Sequence, residues 1–125
     1  MAAAYEGLGG KNGSGEVAVI PGRRTGALGA GSSSFNQTVA GVGGVNESDD
    51  CFGTTVAVGD VNKDGKPEAT VSAAGENNSS GAVRVVPGGA SGPVAQGSRF
   101  ITAANVNLTQ PSGTTVGGYG LLRIT

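Results

Sequence analysis

The segment Asp60-Val61-Asn62-Lys63-Asp64-Gly65-Lys66-Pro67-Glu68 sets oxygen donors at alternate positions. Asp60, Asn62 and Asp64 can turn their side-chain oxygens toward one point. The carbonyl of Lys66 supplies a fourth donor, and Glu68 closes the set with one or two carboxylate oxygens. Hard oxygens in that number suit Ca2+, and no His or Cys stands among them to favour zinc or copper. Gly65 lets the backbone bend sharply enough to wrap an ion. A plain Asp-Gly turn would also join two strands, but three acidic residues and an Asn at alternating positions repel one another unless a cation neutralises them. Mg2+ fits less well, because it demands a near-ideal octahedron and holds its waters. An EF-hand would place its bidentate Glu at position 71, which is Val71, between helical flanks. The expected site is therefore Ca2+ on Asp60, Asn62, Asp64, Lys66 and Glu68.

Other chemistry is scarce. The 125 residues contain no His, which removes the commonest general base, and one cysteine, Cys51, which has no internal disulfide partner. There is no Gly-X-Ser-X-Gly elbow, so no catalytic residue is expected. Eight basic against nine acidic residues give a net charge of −1, with no basic field for nucleic acid or an anionic membrane surface. No apolar run approaches the roughly 20 residues of a membrane helix, and the start MAAAYEGLGG lacks a signal peptide's basic and apolar regions. The chain is expected to be soluble and not an enzyme. The acidic residues Glu47, Asp49 and Asp50 could hold a second cation, but read better as a solvated loop. Six Asn-X-Ser/Thr triplets, at Asn12, Asn36, Asn46, Asn77, Asn78 and Asn107, follow from a composition rich in Asn, Ser and Thr.

The elements that position the loop are strands. Glycine makes up 25 of the 125 residues, which disfavours helices because each interior Gly costs about 1 kcal/mol relative to Ala. The chain also resembles itself: Gly15-Glu16-Val17-Ala18-Val19-Ile20-Pro21-Gly22 returns as Gly81-Ala82-Val83-Arg84-Val85-Val86-Pro87-Gly88. Phe35 then finds Phe100, and Phe52-Gly53 finds Tyr119-Gly120, at nearly the same spacing. Short β-branched runs bounded by turn residues predict strands at Val17–Ile20, Phe35–Ala40, Thr54–Gly59, Glu68–Ala74, Ala82–Val86, Phe100–Ala103 and Gly120–Ile124. Four strands per repeat predict an all-β chain of antiparallel β-propeller blades, with just under two blades present. Phe35, Phe52, Phe100 and Tyr119 are expected to pack between blades.

The stretch from Phe52-Gly53 through the loop to Ser72-Ala73-Ala74 resembles an FG-GAP repeat, the blade unit of integrin α-chain propellers and of many secreted bacterial proteins. The resemblance implies a propeller fold, Ca2+ on Asp60, Asn62, Asp64, the Lys66 carbonyl and Glu68, and an extracellular setting. Two departures are Glu68, where the family has Asp, and Ser72-Ala73-Ala74, where it has Gly-Ala-Pro.

On this reading residues 1–50 are the later strands of a partial first blade. Residues 51–118 form the complete blade with the calcium loop, and 119–125 form the first strand of a following blade. A blade needs a neighbour on each face, and rings hold four to eight blades. Two arrangements answer that need: self-association of three or four copies into a ring, or a place within a larger propeller. The expected function is a calcium-stabilised, non-catalytic scaffold that binds a protein or glycan. The alternatives are a propeller fragment of a secreted hydrolase or lectin, or an engineered or reconstructed fragment.

Overall fold

The strand-and-turn rhythm of the sequence resolves into two antiparallel sheets. The computed structural model describes residues 1–39, 42, 44–107 and 116–118. The first sheet contains β1 (Ala2–Ala3), β2 (Glu16–Val19) and β3 (Ser33–Phe35), in that order. In the second, β4 (Phe52–Gly59), β5 (Glu68–Ala73) and β6 (Ala82–Val86) lie side by side. A separate small hairpin, β7 (Gly88–Gly89) and β8 (Gly92–Pro93), follows, and β9 (Arg99–Thr102) then completes the four-stranded sheet against β6. The only helical pieces among the described residues are turns at Glu76–Ser79 and Ala104–Val106. The second sheet is one propeller blade. The first supplies three strands of another, and the described residues close no ring.

Pairing confirms the internal repeat at the level of register. In the first sheet Val17 pairs with Phe35, Ala18 with Ser34 and Val19 with Ser33. Sixty-six positions later Val83 pairs with Ile101, Arg84 with Phe100 and Val85 with Arg99. The counterpart of Phe35 is therefore Ile101, and Phe100 occupies the place of Ser34. Matching phenylalanine to phenylalanine misplaces it by one residue, which in a strand is a change of face. The carbonyls of Ser14 and Ser80, 66 positions apart, each accept from a later segment, though from residues that are not counterparts: Phe52 N–H donates to Ser14 O (3.0 Å), and Val116 N–H donates to Ser80 O (2.8 Å).

The core lies between the sheets. Val17 and Phe35 from the first pack with Phe52, Ala69, Val71, Ala73 and Val86 from the second, and Val42 joins from the connection. Phe35 meets Phe52 edge to face, with centroids 6.0 Å apart and planes at 71°. Phe52 is 0 % exposed, as a residue between two blades should be. Phe100, expected in the same role, is 36 % exposed and lies instead under the Arg84 guanidinium, 3.8 Å from ring centroid to Cζ.

Two predicted strands have other limits. The one predicted at Phe35–Ala40 stops at Phe35, because the Asn36 side chain accepts from Thr38 N–H (2.9 Å) and its carbonyl from Val39 N–H, a turn that competes with the ladder. The strand at Phe52 begins two residues earlier than predicted, and Gly53, at φ 94°, marks an irregular start in its pairing with β5. The predicted strand Gly120–Ile124, and with it the proposed strand 119–125 and Tyr119, lies outside the described residues.

Candidate functional site

The Asp60–Glu68 loop joins β4 to β5 where both strands end: Gly59 pairs with Glu68, so the ladder closes at the loop's mouth. Its side chains fold it around themselves. Asp60 Oδ1 accepts from Asp64 N–H (3.1 Å) and its Oδ2 from Gly65 N–H (2.9 Å). Asn62 Oδ1 also accepts from Asp64 N–H (2.9 Å), while Asp64 Oδ1 accepts from Lys66 N–H (2.8 Å). Asn62 Nδ2 donates to Asp64 Oδ2 (3.2 Å), linking the two side chains directly. Lys63 and Gly65 sit at φ 62° and 82°, the left-handed backbone that winds the N–H groups inward. Glu68 is buried and its Oε2 accepts from Val61 N–H (2.9 Å), tying the end of the loop to its beginning.

Lys66, the expected main-chain donor, abuts the small hairpin: a Cβ on Gly88 would stand 2.8 Å from its carbonyl oxygen. Asp60, Asn62, Asp64 and Glu68 are thus joined in one hydrogen-bonded loop, with the Lys66 carbonyl against β7. The donor set, carboxylates, an amide and a carbonyl, fits a hard divalent cation. Its three carboxylates are not the group whose oxygens all lie within 4.8 Å of one another; among the described residues that group is Glu47, Asp50 and Glu76.

A model of the FG-GAP repeat family matches residues 52–86. Residues 52–86 are similar to an FG-GAP repeat. Searches of curated proteins and of solved structures return no significant match. The FG-GAP match runs from the first residue of β4 to the last of β6, so it contains the loop and Glu76, while Glu47 and Asp50 precede it. Among the described residues no helix is long and apolar enough to cross a membrane.

The acidic group just upstream of the FG-GAP repeat differs from the one anticipated. Asp49 and Cys51 both adopt left-handed backbone, at φ 66° and 55°, and between them Asp50 is turned inward to 2 % exposure. Asp49 stays at the surface. Main-chain bonds pin this kink on both sides: Asp49 N–H donates to Asn12 O (2.8 Å), Cys51 N–H to Gly13 O (2.9 Å) and Gly75 N–H to Asp50 O (3.0 Å). Gly75 must be glycine, since a Cβ there would collide with the Asp49 carbonyl. Glu76 follows it at the start of a turn whose next three residues, Asn77, Asn78 and Ser79, are left-handed.

Burial pushes Asp50 up to about 6, the carboxylates of Glu76 and Glu47 add to the rise, and the Glu47 N–H (2.8 Å from Oδ2) and Arg84 oppose it. The same burial pulls the Arg84 guanidinium below its ordinary value, against the attraction of Glu76 and Asp50. Arg84 donates from Nη1 to Val42 O (2.9 Å). Gln37 donates from Nε2 to Glu76 Oε2. Sequence reading missed Glu76, Gln37 and Arg84 here because they come from three separated segments. Only the acidic run before Phe52 hinted at the place.

Proposed function

We propose that this chain is a calcium-binding β-propeller repeat module without catalytic function, whose copies associate through blade faces into a ring that presents a protein- or glycan-binding surface outside the cell. The observation that carries the calcium reading is the Asp60–Glu68 loop, in which Asp60, Asn62 and Asp64 hold three successive N–H groups and Glu68 ties the loop shut. Asp60, Asn62, Asp64 and Glu68, with the Lys66 carbonyl, would hold the ion. When bound, it supplies the positive charge that offsets three carboxylates and locks the β4–β5 connection. The role is structural: an ion that binds only the folded chain raises stability by RT ln(1 + [Ca2+]/Kd).

The association reading draws on the repeat. Val17 and Phe35 cover the second sheet, and their counterparts Val83 and Ile101 are half-buried on the face suited to another blade. Thermal melting in Ca2+ and in EDTA tests the first reading, with a higher midpoint in Ca2+ expected; equal midpoints overturn it. Light scattering tests the second: a discrete mass of three or four chains is expected, and a monomer overturns it.

A further inference from the structure

We infer that Glu47, Asp50, Glu76 and the carboxamide of Gln37 form a second site for a hard divalent cation, with Ca2+ as its probe, at the seam between the two sheets. It is distinct from the Asp60–Glu68 loop. That loop caps one end of β4 and β5, whereas Asp50 precedes β4 and Glu76 follows β5, so the two places are separated by the strand length, roughly 20 Å at ~3.3 Å per residue.

Three observations converge on this place. The carboxylate oxygens of Glu47, Asp50 and Glu76 all lie within 4.8 Å of one another. Carboxylate oxygens this close together can enter the coordination shell of one divalent ion. Gln37 is 1 % exposed, its carboxamide is fastened to Glu76, and its Oε1 has no partner. A half-turn of the amide exchanges Oε1 with Nε2 and presents the carbonyl to the carboxylates, which is the orientation a cation selects. Asn46 Oδ1, one residue from Glu47, is likewise buried without a partner.

The charge balance points the same way. Arg84 is the cation whose field reaches Glu76 and Asp50, but its Nη1 is committed to the Val42 carbonyl, its Nε has no partner, and its face is on Phe100. One guanidinium against three carboxylates leaves two negative charges, the charge one divalent ion matches. All available donors are hard oxygens, which excludes a preference for zinc or copper.

The test is a Ca2+ titration by calorimetry on the full chain after removal of metal with chelator. Variants are Asp60→Asn/Asp64→Asn, which disables the loop, and that double variant carrying Glu47→Gln or Gln37→Met in addition, each checked for folding by circular dichroism. Glu47 is exposed, so its substitution leaves the packing intact. The loop-disabled chain is expected to retain one Ca2+. Glu47→Gln should raise its Kd at least about tenfold, and Gln37→Met at least about threefold. A folded loop-disabled chain that binds no Ca2+, or an unchanged Kd in either added variant, overturns the site. If wild type and the loop-disabled chain bind one ion with equal affinity, the loop reading fails and this one stands.

Discussion

The two sheets share a pairing scheme and differ in what that scheme must hold. Val17–Phe35 and Val83–Ile101 occupy the same positions of the same register, yet the neighbouring pair is Ala18–Ser34 in one sheet and Arg84–Phe100 in the other. In the small pair Ser34 is exposed and its hydroxyl donates to Glu16 Oε1 (2.8 Å). The large pair places a buried guanidinium beside Asp50 and Glu76 and covers it with an aromatic ring. The backbone repeat therefore fixes which residues face each other, while the side chains at a single pair decide whether the seam is apolar or charged. The sheets also differ in self-sufficiency: β1, β2 and β3 are two to four residues long and bury Val17 and Phe35 only against the second sheet.

That dependence gives the largest expected effect. Phe52→Ala removes the ring that meets Phe35 and should cost about 3–5 kcal/mol in chemical denaturation, with amides of Val17 and Val19 losing hydrogen-exchange protection. A cost below about 1 kcal/mol would mean that the sheets fold independently. Next comes the loop, which the first sheet lacks. Saturating Ca2+ at about a hundred times Kd should add about 2.7 kcal/mol to wild type and little to Asp64→Asn, read as a shift in melting midpoint.

Third, Gly22 and Gly88 follow the counterpart strands β2 and β6, but a Cβ on Gly22 meets open space whereas one on Gly88 meets the Lys66–Pro67 main chain. Gly88→Ala should cost about 1–3 kcal/mol and Gly22→Ala less than about 0.5, so equal costs would break the distinction between the two connections. The smallest effect is Phe100→Leu, which removes the ring beneath Arg84 and should cost about 0.5–1 kcal/mol in thermal melts.

Much of this architecture was legible because it is local. Strands β2, β5 and β6 follow from short β-branched runs, and the loop follows from side chains that bond N–H groups two to five residues away. What escaped depends on geometry that spacing does not encode. Phe100 looked like the counterpart of Phe35, and a one-residue offset in a strand reversed its face. Asp49 looked as acidic as Asp50, but left-handed backbone on either side of Asp50 turns only that carboxylate inward. Glu76 and Gln37 reach it from residues 26 positions later and 13 earlier, and no local pattern announces such a meeting. The β7–β8 hairpin was hidden by its own composition, since glycine pairs read equally well as turn.

Ser14 and Ser80 receive the incoming chain through the same carbonyl, from Phe52 and Val116. Equivalent carbonyls, just ahead of counterpart strands, thus each hold a later stretch of chain. A tandem duplication of one such stretch would carry along a carbonyl already placed to hold the chain that follows it.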